Sequence, residues 1–141
     1  MDLHAEQLIG RGTSRNGADS FHGIDPSSGE QLEPAYADAT REEVGRALEL
    51  ASSAFDALEG IDRESRAAFL DKIADNLLDL GQALIDRTSA ETALPEARLQ
   101  GERGRTMGQL KQFANVVAEG SWVAARLDRS ARCRRRHGDL R

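Results

Sequence analysis

The feature that most constrains this chain is the stretch from Glu91 to Gly120, which predicts one long helix with an entrance built from Thr92 to Pro95. Pro95 suits the first helical position, because its missing N–H would lack an intrahelical partner there and its φ is already helical. Leu94 precedes a proline and is therefore pushed towards an extended conformation. Gly120 follows the last apolar position, where a left-handed residue commonly ends a helix.

Two opposed faces appear when this helix is wound at roughly 100° per residue. One is an apolar stripe of Leu99, Thr106, Leu110, Phe113 and Val117. The other, which we call the glycine strip, consists of Ala97, Gly101, Gly104 and Gly108. Glycine inside a helix costs about 1 kcal/mol relative to alanine, so the strip predicts close approach of another backbone. A solvent-exposed helix that is rich in glycine by chance is the alternative left open.

Composition and charge limit the class of protein. A chain of 141 residues predicts one domain. Its net charge of −5 is the sum of −10 over residues 1–125 and +5 over residues 126–141. The acidic body disfavours nucleic acid as the main partner, although the basic tail alone could bind it. No apolar run approaches the roughly 18 residues of a membrane span, and the acidic N-terminus does not resemble a secretory signal. We therefore expect no membrane segment and a cytoplasmic location, which the single Cys133 also fits.

Residues 1–39 predict short strands joined by turns, because they lack a helical period and are rich in glycine and proline. The strongest hairpin signal is Asp25-Pro-Ser-Ser-Gly-Glu30, which would turn residues 21–24 back on residues 31–36. Gly10-Arg-Gly12 has neither the spacing nor the strand–turn–helix context of a phosphate loop, so we interpret it as an ordinary loop.

Residues 40–125 predict helices. Thr40 and Glu43 match a capping box, and Gly60 is a natural stop for this first helix. Its apolar residues recur on one face, which predicts a core-facing helix: Val44, Ala47, Leu48, Ala51, Phe55 and Leu58.

Asp62 caps a predicted second helix with a broad apolar arc, which implies contact with more than one neighbour. This arc contains Phe69, Leu70, Ile73, Ala74, Leu77, Leu80 and Leu84. Asp71, Asp75 and Asp79 lack a calcium-loop pattern and a histidine, so we expect a solvated face and no metal site. Gly81 is a predicted interruption of this helix.

A long ordered series of segments resembles the N-terminal part of the aldehyde dehydrogenase superfamily over about residues 5–128. The series comprises Asp25 to Glu30, Ala39 to Val44, Ala54-Phe55, Arg66 to Leu70, Ile73-Ala74 and Glu91 to Pro95. Glu96 to Thr106, Gln109-Leu110, Phe113-Ala114 and Gly120 to Val123 look most like the bacterial branch acting on 2-oxoglutarate semialdehyde, or 2,5-dioxovalerate. The resemblance implies the α/β family fold, of which this chain would be an α+β N-terminal fragment: a β-hairpin region followed by three main helices.

The resemblance also implies a chemistry. In the family a cysteine thiolate attacks the aldehyde, the thiohemiacetal gives hydride to NAD or NADP, and a glutamate activates the water that releases the acid. None of these groups has a counterpart here, and Cys133 does not match the family nucleophile. We therefore expect no catalytic and no cofactor-binding residues, no cofactor for the chain alone, and inactivity until cofactor and catalytic domains are supplied. The full-length family also implies a small aldehyde substrate and a homo-oligomer.

Substrate recognition is the one site role that the resemblance suggests for this chain. The family's third helix borders the substrate entrance, so Arg105 could offer a bidentate fork to an acid-bearing aldehyde, with Gln109 one turn further along. A surface arginine paired with Glu102 is the alternative.

Two departures from the family pattern stand out. Ala93 occupies a position where the family usually has glycine before Leu-Pro, which costs about 1 kcal/mol if the backbone is left-handed there. After Asp128 the similarity stops, and residues 126–141 predict a basic, disordered tail. A frameshifted or truncated reading frame would explain this tail. The rival hypothesis is a genuine basic tail, with the whole chain a non-enzymatic helical interaction module.

Overall fold

The computed structural model describes residues 3–123, so the basic tail and Cys133 lie outside the described residues. Four short strands form two antiparallel hairpins, and four helices follow them, which confirms the α+β prediction. The strands are β1 (Gln7–Ile9), β2 (Gly12–Ser14), β3 (Ser20–Ile24) and β4 (Gln31–Ala37). The helices are α1 (Arg41–Glu59), α2 (Arg63–Asp79), α3 (Gly81–Thr92) and α4 (Glu96–Glu119), and a 3-10 turn covers Ser121–Val123.

Both hairpins turn where glycine permits a positive φ. Gly10 has a φ of 63° in the turn between β1 and β2, so Gly10-Arg-Gly12 belongs to an ordinary hairpin, as expected. Gly29 has a φ of 78° and closes the predicted turn between β3 and β4. In that turn Asp25 accepts hydrogen bonds from the side chain and the N–H of Ser27, which lower the pKa of the Asp25 carboxyl.

Helix α1 begins with the predicted capping box at Thr40 and Glu43 and ends at Gly60. Its apolar face meets no core among residues 3–123, however, so the prediction of a core-facing helix is wrong for the described residues. Leu48 and Phe55 are 67% and 65% exposed. The reason is that α1 meets the first hairpin through Glu43 and Leu50, so that only the edge of the apolar face, at Val44 and Ala47, borders this hairpin.

The main helical contact joins α2 and α4 along their lengths. Two alanines, Ala74 and Ala114, are 0% and 1% exposed, and residues this small let the two helices approach closely. The buried side of α4 only partly coincides with the expected stripe: Leu99 is buried as expected, but Thr106 and Phe113 are exposed and Ala114 is buried instead.

The second predicted helix is divided into α2 and α3 at Leu80 and Gly81. Gly81 has a φ of 58°, which breaks the helix at the interruption expected there, so four helices replace the three main ones. From α4, Arg103 Nη1 donates a hydrogen bond to the Gly81 carbonyl at 2.8 Å. The break therefore turns α3 back towards α4.

Ala93 adopts a left-handed conformation at the end of α3, with φ 55° and ψ 19°. This is the conformation considered above, where the family usually has glycine. We expect Ala93→Gly to raise the free energy of unfolding by about 1 kcal/mol, because a Cβ is strained in this region. Urea denaturation followed by helical circular dichroism would measure the gain. The matched control is Ala68→Gly, on the exposed side of α2, which should lose about 1 kcal/mol. A loss of stability in both variants would contradict the strain at Ala93.

The buried apolar set of the described residues is small, and it consists mainly of alanine. Its members are Ala5, Ala37, Ala67, Ala74, Ile85, Leu99 and Ala114. By contrast, large apolar side chains such as Leu8, Phe69 and Trp122 are 73%, 59% and 56% exposed. Within residues 3–123 no helix combines the length and apolar character required to cross a bilayer. The exposed apolar faces agree with a chain that corresponds to part of a larger body.

Candidate functional site

The two predicted substrate residues lie on the outer side of α4, facing away from α2. Arg105 and Gln109 are both exposed and are one helical turn apart, so their side chains project from the same side of the helix. The Gln109 amide makes no hydrogen bond to any of residues 3–123, and it therefore has both its donor and its acceptor available.

Glu102 shares its carboxylate between two arginines. Arg98 Nη2 lies 2.7 Å from Oε1 of Glu102, whereas Arg105 Nη1 lies 3.9 Å from Oε2. The alternative interpretation, a surface arginine paired with Glu102, is thus present in the structure, but as the looser of the two pairs. The Arg105 side chain is 69% exposed, and exposed pairs of this kind contribute only about 0–1 kcal/mol. Its guanidinium can leave Glu102 at little cost.

The glycine strip lies beside Arg105 on the open side of α4. A Cβ added at Gly101, Gly104 or Gly108 would meet nothing within 4 Å among the described residues. No backbone of residues 3–123 approaches the strip, so the predicted close approach stays a prediction about protein outside this segment.

A second polar cluster joins the first hairpin to α1 around the buried Glu43, which is 6% exposed. One oxygen of its carboxylate accepts from the Ser14 hydroxyl and from the Asn16 N–H at 3.2 Å, and the other accepts from the Thr40 N–H at 2.8 Å. These hydrogen bonds, with that of Ser14 the most important, lower the pKa of Glu43 from its ordinary value of 4.5 to about 2. We call this cluster the Glu43 clasp.

Two cavities border these clusters. A cleft of about 580 Å³ lies between the first hairpin and α1, and its polar lining includes Arg11, Arg46 and Glu42. A second gap of about 170 Å³ lies between α2, α3 and α4, with an apolar lining that includes Leu77 and Ile85. Ligand sites usually measure about 300–1,000 Å³, so of these two cavities among residues 3–123 it is the cleft that has a suitable size.

The described residues do not fit a dinucleotide. Its pyrophosphate needs a glycine-rich turn that leads from a strand into the N-terminus of a helix. The glycines at 10 and 12 instead close an antiparallel hairpin, and both sheets of residues 3–123 are two-stranded and antiparallel. The expectation of no cofactor-binding residue in this segment stays a prediction.

Metal binding also finds no support within residues 3–123, where no group of three or more potential ligands is close enough to hold an ion. Of the three aspartates on α2, Asp75 lies 3.3 Å from Lys111 Nζ of α4, and all three are exposed. The aspartates thus form a solvated face, as predicted.

Three arginines connect elements in ways that the sequence did not indicate. Arg66 Nη2 donates to the Leu58 carbonyl at 2.8 Å and so caps the end of α1 from α2. Arg87 of α3 bonds to Glu91 and to the Glu33 carbonyl of β4, and Arg103 reaches Gly81. These contacts to backbone carbonyls depend on tertiary placement, which leaves no short-range sequence signal.

Comparison with known proteins identifies the class to which this fold fragment belongs. The model of the aldehyde dehydrogenase family matches residues 13–135, and the chain belongs to this family. The matched range includes part of the basic tail, and the predicted departure after Asp128 stays a prediction.

Two relatives carry more specific names. The chain is 50% identical over 129 residues to alpha-ketoglutaric semialdehyde dehydrogenase 2 of Azospirillum brasilense, a match that covers 91% of this chain and 25% of that protein. It is 41% identical over 93 residues to alpha-ketoglutaric semialdehyde dehydrogenase of Acinetobacter baylyi, covering 66% of this chain and 18% of that protein. These matches confirm the resemblance to the 2-oxoglutarate semialdehyde branch. The chain spans about a quarter or less of the length of these relatives, so it corresponds to a segment of such a protein, and the interaction-module alternative is not favoured.

Proposed function

We propose that this chain forms the N-terminal segment of an NAD(P)-dependent aldehyde dehydrogenase that oxidises 2-oxoglutarate semialdehyde to the dicarboxylate, and that it is inactive alone. The observation that carries the proposal is the 50% identity over 91% of the chain to a relative named for that aldehyde. The lack of a dinucleotide fit in residues 3–123 supports inactivity, because hydride transfer needs a bound acceptor.

The cofactor, oligomeric state and cellular location that we propose for the complete enzyme are those that the resemblance to the family implies. It would use NAD or NADP held by domains outside residues 3–123, act as a homo-oligomer, and work in the cytoplasm. No nucleic acid and no membrane has a role in this proposal, since the body of the chain is acidic.

A direct assay tests the proposal. The purified chain, given 2-oxoglutarate semialdehyde with NAD or NADP, should show no coenzyme reduction at 340 nm. The same chain should oxidise the semialdehyde when it replaces the matched segment of the Azospirillum relative in one continuous polypeptide. Turnover by the chain alone would contradict inactivity. A hybrid that oxidises uncharged aldehydes but not the semialdehyde would contradict the substrate.

The substrate role of Arg105 and Gln109 belongs to the same proposal. The semialdehyde carries a carboxylate at the end opposite its reacting carbon, and a guanidinium fork with a neighbouring amide matches that group. In the hybrid enzyme we expect Arg105→Gln to raise KM for the semialdehyde by about tenfold, the value of one charge-assisted hydrogen bond, with little change for pentanal.

Arg98→Gln is the matched control for this prediction. Arg98 lies on the same helix, pairs with the same Glu102 and is 66% exposed, so its loss removes an equal charge and the stronger ion pair. A substrate role predicts that only the Arg105 variant changes KM. If both variants changed KM equally, the change would be due to the overall charge of α4. If neither variant changed KM, Arg105 would have no role in binding the substrate.

A further inference from the structure

The half of α4 that carries Arg105 is packed less closely than the other half. Ala114, which is 1% exposed, lies in the C-terminal half, where α4 approaches α2. In the N-terminal half Leu99 is buried, but the gap of about 170 Å³ lies beside it, between α4, α2 and α3. Side chains that line a gap lack contact atoms on one side, so packing alone does little to fix the rotation of this half of α4 about its axis.

Arg103 makes a directed polar contact across this gap. Its Nη1 donates to the Gly81 carbonyl at 2.8 Å, and its half-buried side chain also lines the gap. Gly81 lies where α2 ends and α3 begins, so this one hydrogen bond ties α4 to the junction of both helices.

Helix α3 is in turn anchored to the second hairpin. Arg87 Nη1 donates to the Glu33 carbonyl of β4, and Arg87 Nε lies 2.6 Å from a carboxylate oxygen of Glu91. The Arg87 side chain is 17% exposed, so these contacts are largely shielded from water. The carbonyl that Arg103 contacts therefore belongs to a helix that is itself held in place.

Arg103 and Arg105 lie on opposite sides of α4, because two residues at about 100° each separate them by about 200°. Arg103 faces Gly81, whereas Arg105 is exposed on the outer side. A rotation of α4 that moved Arg103 away from Gly81 would therefore also move Arg105. A binding group must be held within about 0.5 Å of its productive position, so the contact on one side of α4 affects recognition on the other.

We propose that Arg103 is a positioning residue of the dehydrogenase. Its hydrogen bond to Gly81 fixes the rotation of the N-terminal half of α4, and this directs the Arg105 guanidinium towards the carboxylate of the semialdehyde. Arg103 does not contact the substrate, because its own guanidinium is bonded on the opposite side of the helix. The inference rests on the proposed function for the role of Arg105, and it adds a second residue on which recognition of the acid depends.

A double-mutant cycle in the hybrid enzyme tests the inference. The four forms are the unchanged hybrid, Arg103→Met, Arg105→Gln and the double variant. Methionine keeps an unbranched stem against the apolar lining of the gap but has no donor for Gly81. We expect Arg103→Met to raise KM for the semialdehyde about fivefold, with kcat and the KM for pentanal nearly unchanged. In the Arg105→Gln background the same substitution should change KM less than about twofold, because the residue that it positions is absent.

Three further variants support the cycle. Arg103→Lys keeps a charged donor on a flexible stem and should return KM to within about twofold of the unchanged hybrid. Lys111→Gln is the matched control, because Lys111 Nζ lies 3.3 Å from Asp75 of α2, and its loss removes the same charge and another link between α4 and a neighbouring helix. This control should leave KM for the semialdehyde unchanged. If the thermal melt shows that the Arg103→Met hybrid does not fold, Arg103→Gln, whose polar end tolerates water, takes its place.

The outcomes distinguish this inference from the proposed function. If Arg103→Met raised KM by the same factor with and without Arg105, or raised the KM for pentanal equally, Arg103 would be a general structural contact and the inference would fail. If Arg105→Gln raised KM but Arg103→Met did not, only the inference would fail. If Arg105→Gln had no effect, the substrate role of Arg105 and the inference would both fail. A hybrid that oxidised succinate semialdehyde but not 2-oxoglutarate semialdehyde would contradict the proposed substrate, and the same cycle run with that aldehyde would still test Arg103.

Discussion

Replacing Gly17 by alanine is expected to destabilise the junction between the two hairpins by about 3 kcal/mol, the upper part of the usual range for a side chain forced into occupied space. A Cβ at Gly17 would lie 1.9 Å from the carbonyl oxygen and 2.8 Å from the carbonyl carbon of Asp38. Both atoms belong to the backbone and cannot rotate away. Gly17 is not one of the glycines with a positive φ. Glycine is therefore needed at this position because there is no space for a side chain, and not because of the backbone conformation.

Amide hydrogen exchange would measure this effect locally. The Asp38 N–H donates to the Asp19 carbonyl at 2.9 Å, and the Asn16 N–H donates to Glu43, so both amides report on the junction. We expect their protection to fall by about a hundredfold in Gly17→Ala, which corresponds to about 3 kcal/mol. In the control Gly45→Ala a Cβ meets nothing within 4 Å, and protection should be unchanged or higher. Unchanged protection in Gly17→Ala would show that the two loops separate at no cost.

Local signals predicted the elements of this fold well. The capping box at Thr40, the cap at Asp62, the left-handed Gly120 and the turn closed by Gly29 all act within a few residues, and the structure confirms each of them. Such signals depend on hydrogen bonds and dihedral angles that the local sequence largely determines. They set where helices and strands begin and end.

Packing was predicted less well, because a periodic apolar face shows that a helix has a neighbour but does not identify the neighbour. Phe55 is on the apolar side of α1, as predicted, yet it is exposed, since none of residues 3–123 buries that side of the helix. Phe113 is exposed for a related reason: the alanines of α2 and α4 determine the closest approach, and they rotate the buried side towards Ala114.

The candidate site divides in the same way. Spacing alone placed Arg105 and Gln109 on one side of α4 and named Glu102 as the competing partner, and the structure shows both arrangements. Spacing could not show that Arg98 holds Glu102 more closely, at 2.7 Å, because side-chain geometry decides between two neighbours at equal reach. Nor could the capping box reveal that the Glu43 carboxylate also accepts a hydrogen bond from the Ser14 hydroxyl of the first hairpin. Ser14 lies 29 residues away in sequence.

The Glu43 clasp gives this junction a definite dependence on pH. The pKa of Glu43 is lowered to about 2 in the folded chain from an ordinary value of 4.5, because the ionised carboxylate accepts hydrogen bonds from Ser14, Thr40 and Asn16. A lowered folded-state pKa means that the unfolded chain takes up a proton first as the pH falls. The stabilising contribution of Glu43 is therefore fully present above about pH 4.5 and is lost as the pH falls towards 2.

Glu43→Gln is expected to remove this contribution at neutral pH and to abolish its pH dependence. The carboxamide keeps the shape of the side chain but has one accepting oxygen, so its NH2 group must face either the Thr40 N–H or the Asn16 N–H, and two donors then oppose each other. Protection factors of these two amides, followed from pH 7 to pH 2, would measure the effect. They should fall with pH in the original chain, whereas in the variant they should be low throughout and nearly flat. Glu49→Gln, whose side chain is 74% exposed, is the matched control and should keep the original pH profile. If the Glu43 variant also kept that profile, the carboxylate could not be the group that joins α1 to the first hairpin, and the stability of this junction would have to come from the backbone contacts around Gly17 and Asp38.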